Sequence, residues 1–498
     1  YLKYGAAMGR NPGKNFDTKF YLSEHPDASS GGLTPLEHYA RIGLRKGFST
    51  RPPEPRDQIK RIRSKLLTLG FTEEPLAELL ALANSSENPI LRESALGQLA
   101  FWHTQLKTDD DYRQAVSYLD RAYSVATCAQ TRSLFATAKL IALFHLGLHD
   151  EAKEFYNRIA LDGAVDTNVL LAYSNHFSSL DSKLVLINSA LSVFGICPLR
   201  LLPPNGSNPY DRLTSAVSLP TVNDGPKVTV LIAAYDCPDT LPTALRSLQE
   251  QTWRNLEIIV IDDCSPTLET IEIANNIAAE DPRIRIIRME RNGGAYVARN
   301  RGLREATGDF VTLHDADDWA HPSRIEVQAR LLHENQYLIG CTSQQCRATN
   351  NLEFLRLSSL GALIMPNASS FMFRREAVLQ TVGEWDTVRF GADTELIMRI
   401  QAFHGARSVR QLKDGPRAFQ RHSSTSITRD PYFGIEGFHF GARYIYHDAF
   451  SAYHAQAAIP RMSSSEKRPF PVPRAMMRSG LERRTCQEFD VILATDFR

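Results

Sequence analysis

No run among the 498 residues approaches the eighteen or so apolar positions of a membrane span, and no basic-then-apolar segment opens the chain. Cysteine is scarce and unpatterned. The seven cysteines, scattered from Cys128 to Cys486, include no C-x-x-C pair, which excludes a disulfide framework and points to a reducing compartment. Net charge is also missing: 57 basic against 56 acidic residues leave +1, no global field with which to hold nucleic acid or an anionic membrane. The glycine-rich phosphate loops are absent too. The turn Ala233-Ala234-Tyr235-Asp236-Cys237-Pro238 contains no G-x-G-x-x-G and the chain has no Walker A motif, so a Rossmann-type dinucleotide cofactor is unsupported. A cytoplasmic protein is expected, with peripheral attachment at the inner face of the membrane left open.

What is present is an ordinary globular composition, 43% apolar and 23% charged, in a chain long enough for two to four domains. Tyr1, Gly5 and Gly9 recur as Tyr39, Gly43 and Gly47, so residues 1–52 read as a small helical repeat module. Tyr1, and not Met, at the start reads as a fragment of a longer polypeptide. Residues 57–200 are helical by pattern, and Gly147-Leu148-His149-Asp150 separates two amphipathic runs as a helical hairpin. This region resembles tetratricopeptide repeats in degenerate form; a spacer and a protein-binding platform are both consistent with it. Residues 201–226, with LPPNGSNPYD and NDGP, read as a linker.

From Lys227 the period changes. Lys227–Tyr235, Leu256–Asp262, Ile284–Met289 and Asp309–Leu313 are short Val- and Ile-rich runs, the pattern of strands buried on both faces. Helical runs separate them, so residues 227–455 are expected to form an α/β domain with a mainly parallel, Rossmann-like sheet, preceded by the all-α helical-repeat-like region. Residues 456–498 read as a linker ending in Phe489–Ala494, which looks like the first strand of a further domain.

Ligands of such a sheet collect beyond the carboxyl ends of its strands. That edge carries Asp236, Asp262, Asp263, Asp315, Asp317 and Asp318. So many carboxylates repel one another unless a cation compensates them, and hard oxygens suit Mg²⁺ or Mn²⁺. Asn292-Gly293-Gly294-Ala295 opens a helix bearing Arg299, a place where an anion can meet a helix N-terminus. The plainer alternatives are a packing turn here, and helix caps or turns for the individual aspartates.

VTVLIAAYD, SLQEQTWRNLEIIVIDDCS, NGGAYVARNRGLREATGDFVTLHDADDW and GEWDTVRFGADTEL occur in that order, and through them Lys227 to about Tyr453 resembles the family-2 glycosyltransferases of GT-A fold. The resemblance covers a little under half of the chain. It implies an inverting, metal-dependent transfer of a sugar from a nucleotide-sugar, UDP-sugars favoured, to a glycan or glycoconjugate acceptor in bacterial surface polysaccharide synthesis. By the same resemblance Asp263 contacts uracil or another base, and Ala233, Tyr235 and Asp236 line that pocket. Asp315-Ala316-Asp317 matches the D-x-D motif, Asp315 facing the ribose or the metal shell and Asp317 the metal, with His422 completing the metal site. Arg299 would face the donor. Asp393 matches the general base of the E-D-x-x-L type motif. Ala392 replaces the usual Glu, so Glu395 is kept as a second candidate base, and helix capping is the plainer role for Asp393. Trp385 is read either as a sugar-stacking ring or as core.

Two other functions are distinguishable. In one, the α/β domain is idle and the helical region is a protein-interaction scaffold. In the other, a nucleotidyltransferase makes the activated sugar, but it needs a triphosphate loop that AAYDCPDT does not offer.

Overall fold

The Val- and Ile-rich runs form the centre of an eight-stranded sheet. The computed structural model describes residues 4–29, 32–51, 54–163, 165–204, 206–355, 362–422, 441–463 and 467–477, so the strand expected at 489–494 lies outside the described residues. Two compact units are built, one within residues 1–100 and 121–127, the other within 101–120 and 128–498.

The first unit opens on a small helical module. Helix α1 (Thr18–Glu24) starts where Asp17 accepts a hydrogen bond from the Phe20 amide at 3.0 Å, and α2 (Pro35–His38) starts at a Thr34/Glu37 capping box. A π-helical turn (Tyr39–Gly43) joins α2 to α3 (Leu44–Lys46), and Phe16, Tyr21 and Ala28 form the small core. Helices α4 (Pro55–Leu67) and α5 (Glu73–Ser85) follow, while α6 (Pro89–Leu106) and α7 (Asp109–Val125) each contribute residues to both units.

The second unit contains the expected hairpin, α8 (Ala129–His145) and α9 (His149–Leu161), turned at Gly147, and then α10 (Thr167–Ser174) and α11 (Leu180–Ser192). The segment expected as a linker is packed structure. It begins at the end of β1 (Leu199–Leu201) and carries β2 (Leu213–Ser215), which pairs antiparallel with β1. Between them Tyr210 is fully buried; its hydroxyl donates to the Phe419 carbonyl and accepts from the Trp319 amide at 3.0 Å. Asp211 pairs with Arg421, whose guanidinium lies 4.2 Å over the Tyr210 ring.

The sheet consists of β3 (Val228–Ala234), β4 (Leu256–Asp262), β5 (Ile284–Arg288), β6 (Phe310–Leu313), β7 (Trp319–Ala320), β8 (Gly340–Ala348), β9 (Met365–Arg374) and β10 (Val409–Arg421). Its spatial order is β5-β4-β3-β6-β9-β8-β10-β7. The β5-β4-β3-β6 half is parallel, β9 runs antiparallel to both neighbours, and β8 and β10 are parallel. The domain is thus a mixed, mostly parallel GT-A sheet.

Alternation of side chains gives the sheet two cores. Leu231, Ile259 and Ile261 join one; Val230, Ile232, Ile258 and Val260 join the other. Helices α12 (Leu241–Gln249), α13 (Glu269–Glu280), α14 (Ala295–Glu305), α15 (Arg324–Glu334), α16 (Arg375–Thr381), α17 (Ala392–His404) and α18 (Ala442–Gln456) complete the domain. Gly302 lets α14 approach closely, since a Cβ there would stand 2.7 Å from Ile261 Cδ1 and 2.9 Å from Leu231 Cδ2. The described part of the expected C-terminal linker also finishes this domain: Met462, Phe470 and Met476 are buried in the core, and Arg468 Nε donates to Asp386 at 2.8 Å.

Replacing Tyr210 with Phe leaves the buried Trp319 amide and Phe419 carbonyl each without a partner, which should cost about 1–3 kcal/mol of stability. Urea denaturation of both forms checks it; equal midpoints and slopes would mean that residues 201–226 contribute nothing to the packing.

Candidate active site

A cleft of about 730 Å³ opens at the carboxyl ends of the central strands. Its floor is set by strand ends: β3 delivers Ala233 and the turn Tyr235–Asp236, β6 delivers Asp315 and Asp317, and the first turn of α17 delivers Asp393. These expected residues share one cleft with Arg299. Tyr235 is half exposed, and Asp236 takes a left-handed conformation (φ 47°), its amide donating to Ser265 Oγ at 2.9 Å.

Arg299 is the hub. Its guanidinium is buried and reaches Asp315 Oδ1 at 2.6 Å through Nη2 and Asp393 Oδ2 at 3.1 Å through Nη1. Tyr296, one helical turn earlier on α14, donates its hydroxyl to Asp393 Oδ2 at 3.0 Å, and Ser369 of β9 donates to Asp315 Oδ2 at 2.6 Å. Burial pushes the Asp393 carboxyl above its usual range, and Arg299 pulls it back. Asp317 behaves differently. No ion pair engages it among the described residues, and burial together with the Asp315 charge lifts its carboxyl to about 6. Asp318 is buried and accepts from the Arg421 amide at 2.9 Å.

Three expected site residues are placed otherwise. Asp263 does not line the cleft: its two carboxylate oxygens accept the Gly293 and Gly294 amides, each at 2.6 Å. In this structure the side chain expected to read a base fixes the turn that launches α14. Glu395 is fully buried, holding Arg399 Nη2 at 2.8 Å and His454 Nε2 at 2.9 Å. Two residues along α17 turn it about 200° away from Asp393, so it cannot meet a substrate from the cleft. His422 does not line the cleft; its backbone amide continues the β8–β10 pairing to the Ala348 carbonyl at 2.8 Å. Among the described residues no three His, Cys, Asp or Glu side chains gather to hold a metal. Trp385 is core, fully buried with its ring 5.5 Å from that of Phe373.

The donor set still suits a hard cation. Mg²⁺ and Mn²⁺ sites that serve phosphates commonly use one or two protein carboxylates, the phosphates and waters supplying the rest. Asp315 and Asp317, two of the carboxylates that line the cleft, are the residues that could supply such a pair. Sequence reasoning missed Tyr296 and the arginines Arg347, Arg389, Arg421 and Arg443, which also line the cleft or support it. Tyr296 and Arg299 lie three apart on a predicted helix facing the site, a signal that was available; Arg443 carries no motif.

Residues 229–402 match the model of the family described as glycosyl transferase family 2. The chain is similar to an uncharacterized glycosyltransferase, YibD, of Escherichia coli (37% identity over 152 residues, 29% of this chain and 44% of that protein). It is also similar to a putative glycosyltransferase, EpsE, of Bacillus subtilis (34% over 147 residues, 29% and 50%). A third relative is the succinoglycan biosynthesis protein ExoO of Rhizobium meliloti (31% over 165 residues, 32% and 46%). The chain thus spans about half the length, or slightly less, of these curated relatives. Among solved structures, S. aureus TarS 1-349 in complex with UDP aligns over 40% of this chain and 61% of that one, with 19% identity and a TM-score of 0.33.

Glu395→Ala should destabilise the fold by about 3–5 kcal/mol, because it strands the buried Arg399 guanidinium without its anion. Thermal and urea unfolding measure it, and a variant as stable as the wild type would contradict the structural role given to Glu395.

Proposed function

We propose that the family-2 glycosyltransferase domain of this chain moves a sugar from a nucleotide-sugar, a UDP-sugar in the favoured case, to a hydroxyl of a glycan or glycoconjugate acceptor, with inversion at the anomeric carbon. Surface polysaccharide synthesis is the setting, in keeping with the relative named for succinoglycan biosynthesis. The observation that carries the reading is the meeting of Asp315, Asp317 and Asp393 in one cleft, two of them on a single guanidinium.

Asp393 is the general base. Its carboxylate accepts the proton of the acceptor hydroxyl while that oxygen bonds to the anomeric carbon. The bond from that carbon to the phosphate oxygen breaks, and its electron pair leaves with the nucleoside diphosphate. Burial raises the proton affinity of Asp393, which favours this transfer, while Arg299 and Tyr296 keep it ionised and aimed. A divalent ion on Asp315 and Asp317 would neutralise charge on the departing diphosphate. The half-exposed Tyr235 ring offers the nucleobase a stacking face, and Ala233 leaves room beside it. The helical segments are proposed to position the domain, or to meet a protein partner.

An idle domain predicts something different. At saturating Mn²⁺, Asp393→Asn should lower the turnover of a nucleotide-sugar by about 10²–10⁴ and leave UDP affinity within a factor of two, because general bases contribute at that scale. Asp317→Ala should abolish the response to Mn²⁺. Nucleotide release and calorimetric UDP binding, measured over a panel of nucleotide-sugars, check both; metal-independent turnover, or equal turnover in Asp393→Asn, would overturn the reading.

A further inference from the structure

We propose that the acceptor carries an anionic group, a phosphate or a carboxylate, near its reacting hydroxyl, and that Arg443 binds this group. The inference rests on the glycosyltransferase reading and narrows its substrate class.

The cleft has two chemically distinct ends. Asp236, Asp315 and Asp317 stand at the strand ends, where a cation and a diphosphate belong. Arg389, Phe390 and Gly391 immediately precede the helix that carries Asp393, and Arg443 of α18 closes over them, its guanidinium 4.2 Å above the Phe390 ring. A hydroxyl giving its proton to Asp393 approaches along this wall. The two ends thus divide donor from acceptor.

The arginines differ in what balances them. Arg299 has two carboxylates and Arg421 has Asp211. Arg347 interacts electrostatically with Asp315, Asp317 and Asp318, which assigns it to the metal and diphosphate end. Arg443 has no carboxylate among the described residues. Among the described residues, the groups acting on it are the Tyr296 phenol and the Arg347 guanidinium, a second cation, and its Nε is buried without a hydrogen-bond partner. Burial first, and then the Arg347 cation, disfavour the charge it carries. An aromatic face compensates a desolvated cation only in part. A ligand anion completes the set, and a planar guanidinium matches the paired oxygens of a phosphate or carboxylate.

The test uses the whole chain saturated with UDP and Mg²⁺, and inorganic phosphate and acetate as probes, titrated calorimetrically. The expected result is a phosphate or acetate site that persists beside bound UDP, weakens at least tenfold in Arg443→Gln, and is partly restored in Arg443→Lys, with UDP affinity unchanged throughout. The stronger of the two probes tells phosphate from carboxylate. Neither anion binding to the UDP-loaded wild type, or equal binding in Arg443→Gln, overturns the proposal. Loss of UDP affinity in Arg443→Gln also overturns it, since the guanidinium then serves the donor's diphosphate. A wild type that fails to bind UDP at all sinks the glycosyltransferase reading itself, and is recognisable as a separate failure.

Discussion

One buried guanidinium organises the cleft. Arg299 joins Asp315, just past the end of β6, to Asp393, at the start of α17, two carboxylates 78 positions apart in the sequence. Asp393 is buried and Asp315 partly so, and two carboxylates held on one guanidinium repel each other; the shared cation between them offsets that repulsion. The residue proposed to take a proton and the residue proposed to hold a metal are therefore electrostatically linked before any ligand arrives.

The position of Arg299 is secured from below. Asp263 binds the Gly293 and Gly294 amides, the turn so fixed begins α14, and Gly302 seats that helix on Ile261 and Leu231 of the sheet. Tyr296 and Arg299 then project into the cleft from one helical face. A carboxylate that looks like a ligand contact in the sequence works here as the foundation for another residue. The far wall depends on β9 through Ser369, and on the segments 456–463 and 467–477, which bury Met462, Phe470 and Met476 against α16 to α18.

The parallel half of the sheet was legible because strands buried on both faces leave continuous Val and Ile runs; Leu256–Asp262 was read to the residue. The cleft edge followed from strand ends, which is why Asp236, Asp315 and Asp317 were found together. Residues 201–226 were misread because Pro, Gly and Asn dominate locally, whereas what orders the segment is distant: Phe419 and Trp319 for Tyr210, Arg421 for Asp211. Asp393 and Glu395 could not be separated on paper, since both occupy the first turn of one helix; which side faces Arg299 and which faces Arg399 is decided by packing. Arg443 was invisible for a similar reason, as its meaning comes from what is not beside it.

The link through Arg299 is open to direct measurement. Removing the charge of Asp393 leaves the guanidinium to Asp315 alone, which strengthens its competition with a cation for that carboxylate. Manganese affinity in the presence of UDP, determined by calorimetry or by the paramagnetic signal of free Mn²⁺, should be several-fold weaker in Asp393→Asn than in the wild type. Equal affinity in the two proteins would show that the two carboxylates act independently and would contradict the account.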